Sequence, residues 1–259
     1  MDDDLPQSDT SATHHLQFPS PARIYDYLAG GSFHTPLDRL EALRIENVLP
    51  CAPALTRAHR RFLLTSIQTM LDAGIEQFLD LGAGLPTAGS ATDFLARCGR
   101  TVRIVGVDNE AATTAEARRL APAHLQVVHA DLVAADIVLR EASAAGLDLA
   151  RPVGLLAVDV LHAVTKPQAL ATALGIYRSG CAEGSMLAVS VLSDISATHD
   201  LQPFLEFRLA EGQAVRPYAA DVLREILGAW APAATVTALE EEADLPAFES
   251  VLARGAETT

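Results

Sequence analysis

From residue 77 onward, short apolar runs alternate with longer stretches in which apolar positions return every third or fourth residue. The runs read as strands buried on both faces, the longer stretches as helices with one apolar face. Runs at 77–81, 102–108, 125–129, 153–158 and 186–192 predict five strands. Stretches at 87–97, 110–120, 133–145 and 167–178 predict the helices between them. Such alternation builds βαβ units and a parallel sheet. After Ser193 the pattern loosens: helices are expected at 201–209 and 219–230, and two closing strands at 235–239 and 248–253.

Upstream of the alternation the pattern is helical. Residues 1–20 are polar and read as a mobile tail, His14-His15 included. Pro21 suits a first helical position and Gly30-Gly31 a stop, with Ile24, Tyr27 and Leu28 on one face. This short helix is either an amphipathic element docked on the core or a lid, with Tyr25 or Tyr27 over a ligand and Arg23 near an anionic group. Helices at 38–48 and 53–71 follow, and Asp72-Ala73-Gly74 closes the second. Arg57, Arg60 and Arg61 fall early in that second helix; they could bind an anion, but a solvated face paired with surface acids is the preferred reading. The division expected is a tail at 1–20, a helical extension at 21–74 and an α/β unit at 75–259.

Charge and cysteine content narrow the function classes. The 259 residues carry 33 acids against 19 bases, a formal net charge of -14, and Lys166 is the sole lysine. A surface this acidic repels phosphate backbones, so a small-molecule partner fits better than nucleic acid. Cys51, Cys98 and Cys181 form no Cys-x-x-Cys pair, and an odd count suits a reducing compartment. The acidic start has no apolar h-region and no run approaches the ~18 apolar residues of a membrane span, so a cytoplasmic protein is expected. No metal-ligand spacing is visible, and His124, His129 and His199 read as surface or loop groups.

The chemistry is expected around Gln77-Phe78-Leu79-Asp80-Leu81-Gly82-Ala83-Gly84-Leu85-Pro86-Thr87. A buried strand feeding a Gly-x-Gly turn is where an open α/β sheet holds a nucleotide-like ligand. Dinucleotides and S-adenosylmethionine are the two candidate cofactors. Thr87 stands where the dinucleotide fingerprint wants Gly or Ala, and Asp80 sits at a strand end that dinucleotide binders keep apolar. Asp108 closes the second strand, where an acid accepts hydrogen bonds from ribose hydroxyls in both classes. Asp131 closes the third. Together Asp80, Gly82, Gly84, Asp108 and Asp131 favour S-adenosylmethionine.

The chain resembles the actinobacterial S-adenosylmethionine-dependent methyltransferase family formerly described as a domain of unknown function. The resemblance rests on Ala22-Arg23-Ile24-Tyr25-Asp26-Tyr27-Leu28-Ala29-Gly30-Gly31 with Asp38-Arg39, and on Arg57-Ala58-His59-Arg60-Arg61-Phe62. It rests also on the Gly-x-Gly stretch, on Val107-Asp108-Asn109 and on Leu161-His162. It implies a class I S-adenosylmethionine-methyltransferase fold, a Rossmann-like three-layer α/β sandwich with an N-terminal helical extension covering the cofactor pocket. Arg23, Tyr25 and Tyr27 then belong to that cover. The chain departs from the family at Ser32-Phe33-His34, where Lys-Asp-Asn is usual, and at His59, where Asn is usual.

The expected roles follow. Gly82, Ala83 and Gly84 lie against the methionine part and ribose of the cofactor, Asp80 holds its ammonium, Asp108 and Asn109 meet the ribose, and Asp131 or Leu132 meets the adenine. The fourth strand runs into Asp159-Val160-Leu161-His162, beside the reacting centre in such folds. His162 is the first candidate for a general base and Asp159 the second. The expected activity is methyl transfer to an unidentified small molecule. The alternatives are a cofactor-binding protein that has lost catalysis and a nicotinamide-dependent oxidoreductase.

Overall fold

All five residues of Gln77–Leu81 (β1) are buried. A strand buried throughout needs partners on both edges and cover on both faces, and β1 has both. In the computed structural model, which describes residues 18–193, 200–234 and 248–255, β1 lies inside a seven-stranded sheet of order β3-β2-β1-β4-β5-β7-β6. The other strands are Arg103–Asp108 (β2), Leu125–His129 (β3), Gly154–Val158 (β4), Met186–Leu192 (β5), Trp230–Ala234 (β6) and Phe248–Gly255 (β7). Strands β1 to β5 are parallel; β7 runs antiparallel to both β5 and β6.

Side-chain alternation assigns the faces. Leu79 and Leu81 join one core with Leu155, Ala157, Leu187 and Val189. That core is covered by helices Ala135–Ala144 (α6), Pro167–Gly180 (α7) and Ala220–Leu227 (α9), through Val138, Leu174 and Leu223. Phe78, Ile104 and Leu156 face the other way, against Phe62, Ile67 and Met70 of Ala52–Asp72 (α3) and Leu95 of Ala91–Arg97 (α4). Helix Ala111–Leu120 (α5) packs on β3 and β2. The result is three layers.

A third apolar cluster builds the cover. Ile24 and Leu28 of Pro21–Leu28 (α1) pack with Ala42 and Ile45 of Pro36–Val48 (α2) and with Ala52 and Leu55 of α3. Leu192 at the end of β5 and Phe204, Leu205 and Phe207 of Gln202–Ala210 (α8) complete it. The three short helices α1, α2 and α8 therefore gather at the carboxyl end of the sheet.

One buried carboxylate ties α1 to α2. Asp38 accepts hydrogen bonds from Arg23 Nε (2.7 Å), Ser20 N–H (2.8 Å), Thr35 N–H (2.7 Å) and Thr35 Oγ1 (2.7 Å). Thr35 Oγ1 in turn accepts from Asp38 N–H, which makes a reciprocal helix cap. Burial by itself would raise the Asp38 pKa, but the Arg23, Thr35 and Ser20 hydrogen bonds outweigh it and hold the carboxyl below its usual range. Ser20 Oγ also reaches Glu110 Oε2 (3.2 Å), so α1 is fastened to the turn after β2 as well.

Most expected elements appear within a few residues, with two informative differences. The helix after the Gly-x-Gly turn begins at Ala91 and not at 87, because Ser90 adopts an extended conformation and its Oγ accepts Asp93 N–H (3.2 Å). The helix expected to reach Trp230 ends at Leu227, since Gly228 takes φ 52°, and Trp230 opens β6. The strand expected at 235–239, together with His14, His15 and His199, lies outside the described residues.

Replacing Asp38 with Ala removes four acceptor contacts and strips a buried guanidinium of its closest anion. The loss expected in urea denaturation is about 3–5 kcal/mol. A loss below about 1 kcal/mol would show that the α1–α2 junction does not depend on this carboxylate.

Candidate cofactor and active site

Between β1 and β4 the winding of the sheet reverses: the chain leaves β1 for β2 and β3 on one side and returns to β4 on the other. Ligands in open α/β sheets bind outside the carboxyl ends of strands at such a reversal. Here a cavity of about 530 Å³ opens at that place, beneath α1 and α8.

The turn after β1 forms its floor. Gly82 takes φ 75° and Gly84 φ 60°, a left-handed region costly for other residues. A Cβ on Gly82 would collide with Val160 Cγ2, so the β1 turn and the β4 turn can approach only because that position is bare. Gly84 N–H donates to Asp108 Oδ2 (3.1 Å) and Glu110 N–H to Asp108 Oδ1 (2.9 Å). Two backbone donors thus fix the Asp108 carboxylate at the end of β2. Burial raises its pKa, against these hydrogen bonds.

Asp80 differs from Asp108. It is 9% exposed and lines the cavity, yet no hydrogen bond or ion pair reaches its carboxylate among the described residues. Burial, and then the neighbouring Asp108, push its pKa up to about 7. Asp131, Leu132 and Asn109 also line the cavity, at the ends of β3 and β2.

At the end of β4 a polar cluster sits on the opposite side of the turn. Asp159 has φ 56°, the one left-handed residue other than glycine among the described residues. Its N–H donates to Ser190 O (2.9 Å) and lies 3.2 Å from Ser190 Oγ, both on β5. Asp159 Oδ1 lies 3.4 Å from His59 Nε2 and 3.6 Å from His162 Nδ1. His59, fully buried on α3, has Nδ1 2.7 Å from Ser190 Oγ. The assignment that fits these distances puts the Ser190 proton on the bond to Nδ1 and the imidazole proton on Nε2, on the side of Asp159. Burial drives the His59 pKa down to about 3, with His162 adding to the effect. Burial, and then Arg208, lower His162 to about 4. Burial raises Asp159 to about 7. Both imidazoles are therefore neutral at neutral pH, and a strained backbone aims a carboxylate between them.

Of the residues singled out from the sequence, Asp80, Gly82, Ala83, Gly84, Asp108, Asn109, Asp131, Leu132, Tyr25, Asp159 and His162 all line this one cavity. Two do not. Arg23 is turned away into the α1–α2 junction, held by Asp38 and 3.6 Å from Glu116, because a buried guanidinium goes to the nearest buried carboxylate. Tyr27 packs edge-on against His34 at 5.0 Å, on the apolar side of α1. A helix presents one face to the cavity, and only Pro21, Ala22 and Tyr25 of α1 lie on it.

Sequence reasoning missed Arg60, Arg208, His59 and Ser190. Arg60, read as a solvated group, lines the cavity, lies 5.3 Å over the Tyr25 ring and donates to Ala88 O (3.0 Å). Burial raises the Tyr25 hydroxyl pKa, with Asp159 adding to it. His59 carried a legible signal: it shares the buried stripe Leu55, His59, Phe62, Ser66 of α3, where a histidine demands a polar partner inside the core. Arg208 and Ser190 carried none, because only the packing of α8 and β5 brings them in.

The strand order and the glycine turn define the class: a class I S-adenosylmethionine methyltransferase fold. The chain belongs to the S-adenosyl methyltransferase family, whose sequence model matches residues 7–215, and S-adenosylmethionine is its cofactor. Solved structures agree on the fold. A protein from Thermobifida fusca YX is 22% identical over 98% of this chain and 100% of that one, with a TM-score of 0.79. A DUF574 family protein from Streptomyces avermitilis is 24% identical over 93% and 99%, with a TM-score of 0.80. The 1,6-didemethyltoxoflavin-N1-methyltransferase of Burkholderia thailandensis is 18% identical over 88% and 93%, with a TM-score of 0.51. A search of curated proteins gave no match. Among the described residues no helix is long and apolar enough to cross a membrane, and no cluster of His, Cys, Asp or Glu could hold a metal ion.

The residues present fit the cofactor. Asp80 is a buried carboxylate that no cation pairs with among the described residues, as a ligand ammonium requires, and Gly82 and Gly84 leave the turn bare where a ligand would lie against backbone.

The raised pKa of Asp80 has a definite sign in stability. Its folded value, about 7, lies above the unfolded value of 3.8, so the native state binds the proton more tightly. The native state therefore loses stability as pH rises from about 4 to about 7, and the penalty then stays constant. Asp159 acts the same way, whereas His59 and His162 oppose it, because lowered histidine pKa values make the native state gain stability as pH rises toward 6.5. The difference between variants isolates one group: in ligand-free protein, Asp80→Asn should raise Tm more at pH 8 than at pH 5. An equal shift at both pH values would contradict the raised pKa.

Proposed function

We propose that this protein transfers the methyl group of S-adenosylmethionine to a small-molecule acceptor held between the cofactor and the cover formed by α1 and α8. The observation that supports this best is that the glycine turn and the Asp159–His162 pair open into the same cavity, whose volume of about 530 Å³ is in the range of small-molecule sites. The acidic net charge of -14 also favours a small acceptor over a nucleic acid. In the Burkholderia thailandensis enzyme the fold holds 1,6-didemethyltoxoflavin together with S-adenosylhomocysteine, which supports a small acceptor here.

S-Adenosylmethionine supplies an activated methyl group on a positively charged sulfonium. On this reading Gly82, Ala83 and Gly84 lie against its methionine part and ribose, and Asp80 takes its ammonium. Asp108, pre-fixed by two backbone donors, receives the ribose hydroxyls beside Asn109. Asp131 or Leu132 meets the adenine. Tyr25, braced by Arg60, closes the cavity from above and helps exclude water. Of the helical extension at 21–74, α1 and α2 act as the lid while α3 packs on the sheet, and the α/β unit that follows carries the binding strands.

His162 takes the acceptor's proton. With Nδ1 turned toward Asp159 Oδ1 at 3.6 Å, Nε2 is the nitrogen that accepts it, and the resulting imidazolium is balanced by Asp159. His59 and Ser190 are positioning residues that hold Asp159 between the two rings.

Binding supplies a test that needs no acceptor. The ammonium of S-adenosylhomocysteine favours ionised Asp80, so binding should release a proton below about pH 7 and affinity should climb with pH until Asp80 is ionised in the free protein. Calorimetry in two buffers of different ionisation heat reads the proton, and Asp80→Asn should abolish its release. Asp108→Ala should weaken S-adenosylhomocysteine by roughly 10- to 100-fold, the loss expected for hydrogen bonds to a charged group. Undiminished affinity in that variant would refute the ribose assignment, and tight binding of NAD in place of S-adenosylhomocysteine would refute the reading as a whole.

A further inference from the structure

Three of the groups assigned to the cofactor, Asp80, Asp108 and Asp131, stand at the ends of β1, β2 and β3. The far end of the cavity, past β4, has different chemistry. It is walled by His162 and Asp159 from below and by Arg208 of α8 from the cover. Arg208 is half-buried, and among the described residues no hydrogen bond or ion pair reaches its guanidinium. The carboxylates that act on it are Glu41 on α2 and Glu211 just after α8. Both are bound by Arg44, at 2.8 Å and 2.9 Å. Burial lowers the Arg208 pKa, while Glu41 and Glu211 act from a distance to raise it. It also acts on His162, whose protonation it opposes. A guanidinium taken partly out of water without an anion is costly, and among the described residues no carboxylate of the cavity wall pairs with it.

We propose that the methyl acceptor carries a carboxylate that pairs with Arg208, placing its nucleophilic group against His162. This rests on the methyltransferase reading and deepens it. A planar carboxylate matches the two parallel N–H donors of a guanidinium. A single negative charge matches a single cation. Arg60 is engaged with Ala88 O and the Tyr25 ring, and Lys166 lies at the exposed rim. A doubly charged phosphate beside Asp159 would be less well served. The carboxylate also completes the electrostatics of catalysis: with Arg208 neutralised, the penalty on charging His162 falls, so a bound acceptor makes its own base stronger.

The test uses the whole protein and begins with S-adenosylhomocysteine. In protein saturated with it, calorimetry compares 4-hydroxybenzoate, salicylate and indole-3-acetate with their primary amides, and with phenyl phosphate. At least one carboxylate should bind roughly tenfold or more tightly than its amide, and Arg208→Gln should remove that preference while Arg208→Lys restores part of it. Neither variant should melt below the parent, and both should keep S-adenosylhomocysteine affinity within about threefold. Preference for the amides or for phenyl phosphate, failure of every carboxylate to bind, or a carboxylate preference untouched in Arg208→Gln would each overturn the proposal. A large loss of S-adenosylhomocysteine affinity in Arg208→Gln, with 5′-methylthioadenosine unaffected, would place Arg208 on the cofactor's carboxylate and overturn it too. If S-adenosylhomocysteine does not bind the parent protein at all, it is the methyltransferase reading that falls.

Discussion

A parallel sheet that reverses its winding cannot cover the ends of its own strands at the reversal. Here that gap lies between β1 and β4, where the two flanking connections leave in opposite directions. Backbone at these strand ends must find partners other than a crossover helix, and the chain meets the need with turns. Gly82 can pass close to Val160 because it has no side chain, and Gly84 N–H, freed from regular structure, fixes Asp108. The cavity is thus a consequence of topology, and its shape depends on two residues in left-handed conformations.

The cover is built from what topology leaves over. Helices α1 and α2 precede the sheet in sequence and α8 follows β5, yet their apolar residues meet in one cluster over the carboxyl edge. Asp38 holds the first two together through contacts from three residues. Because α1 and α8 reach the cavity from opposite ends of the chain, the ligand space is bounded by Tyr25 on one side and Arg208 on the other. The wall chemistry differs accordingly: carboxylates toward β1, β2 and β3, an imidazole and a guanidinium beyond β4.

The electrostatic state of the site is deliberately incomplete in the free protein. Asp80 and Asp159 are carboxylates whose pKa values burial lifts to about 7, and His59 and His162 are imidazoles that burial keeps neutral. Among the described residues no cation pairs with Asp80. Strain at Asp159, φ 56°, is held by Ser190 and His59. Groups of this kind are stabilised by a ligand that brings the missing charges, which links stability, protonation and binding in one equilibrium.

Local chemistry accounts for what the sequence determined unaided. Continuous apolar runs and three-to-four-residue periods are properties of consecutive residues, so strands β1 to β5 and β7, most helices and the parallel core were legible. So was the Gly-x-Gly turn with an acid at each of three strand ends, since each feature is carried within a few residues. The direction of Arg23 was not, because a guanidinium follows the nearest buried anion and Asp38 is near only once α1 crosses α2. Nor was the split between Tyr25 and Tyr27, which the docking angle of α1 decides. His59, Ser190, Asp159 and His162 come from α3, β5 and the turn after β4, and Arg208 from α8. Their meeting depends on contacts far apart in sequence, which only the folded chain forms.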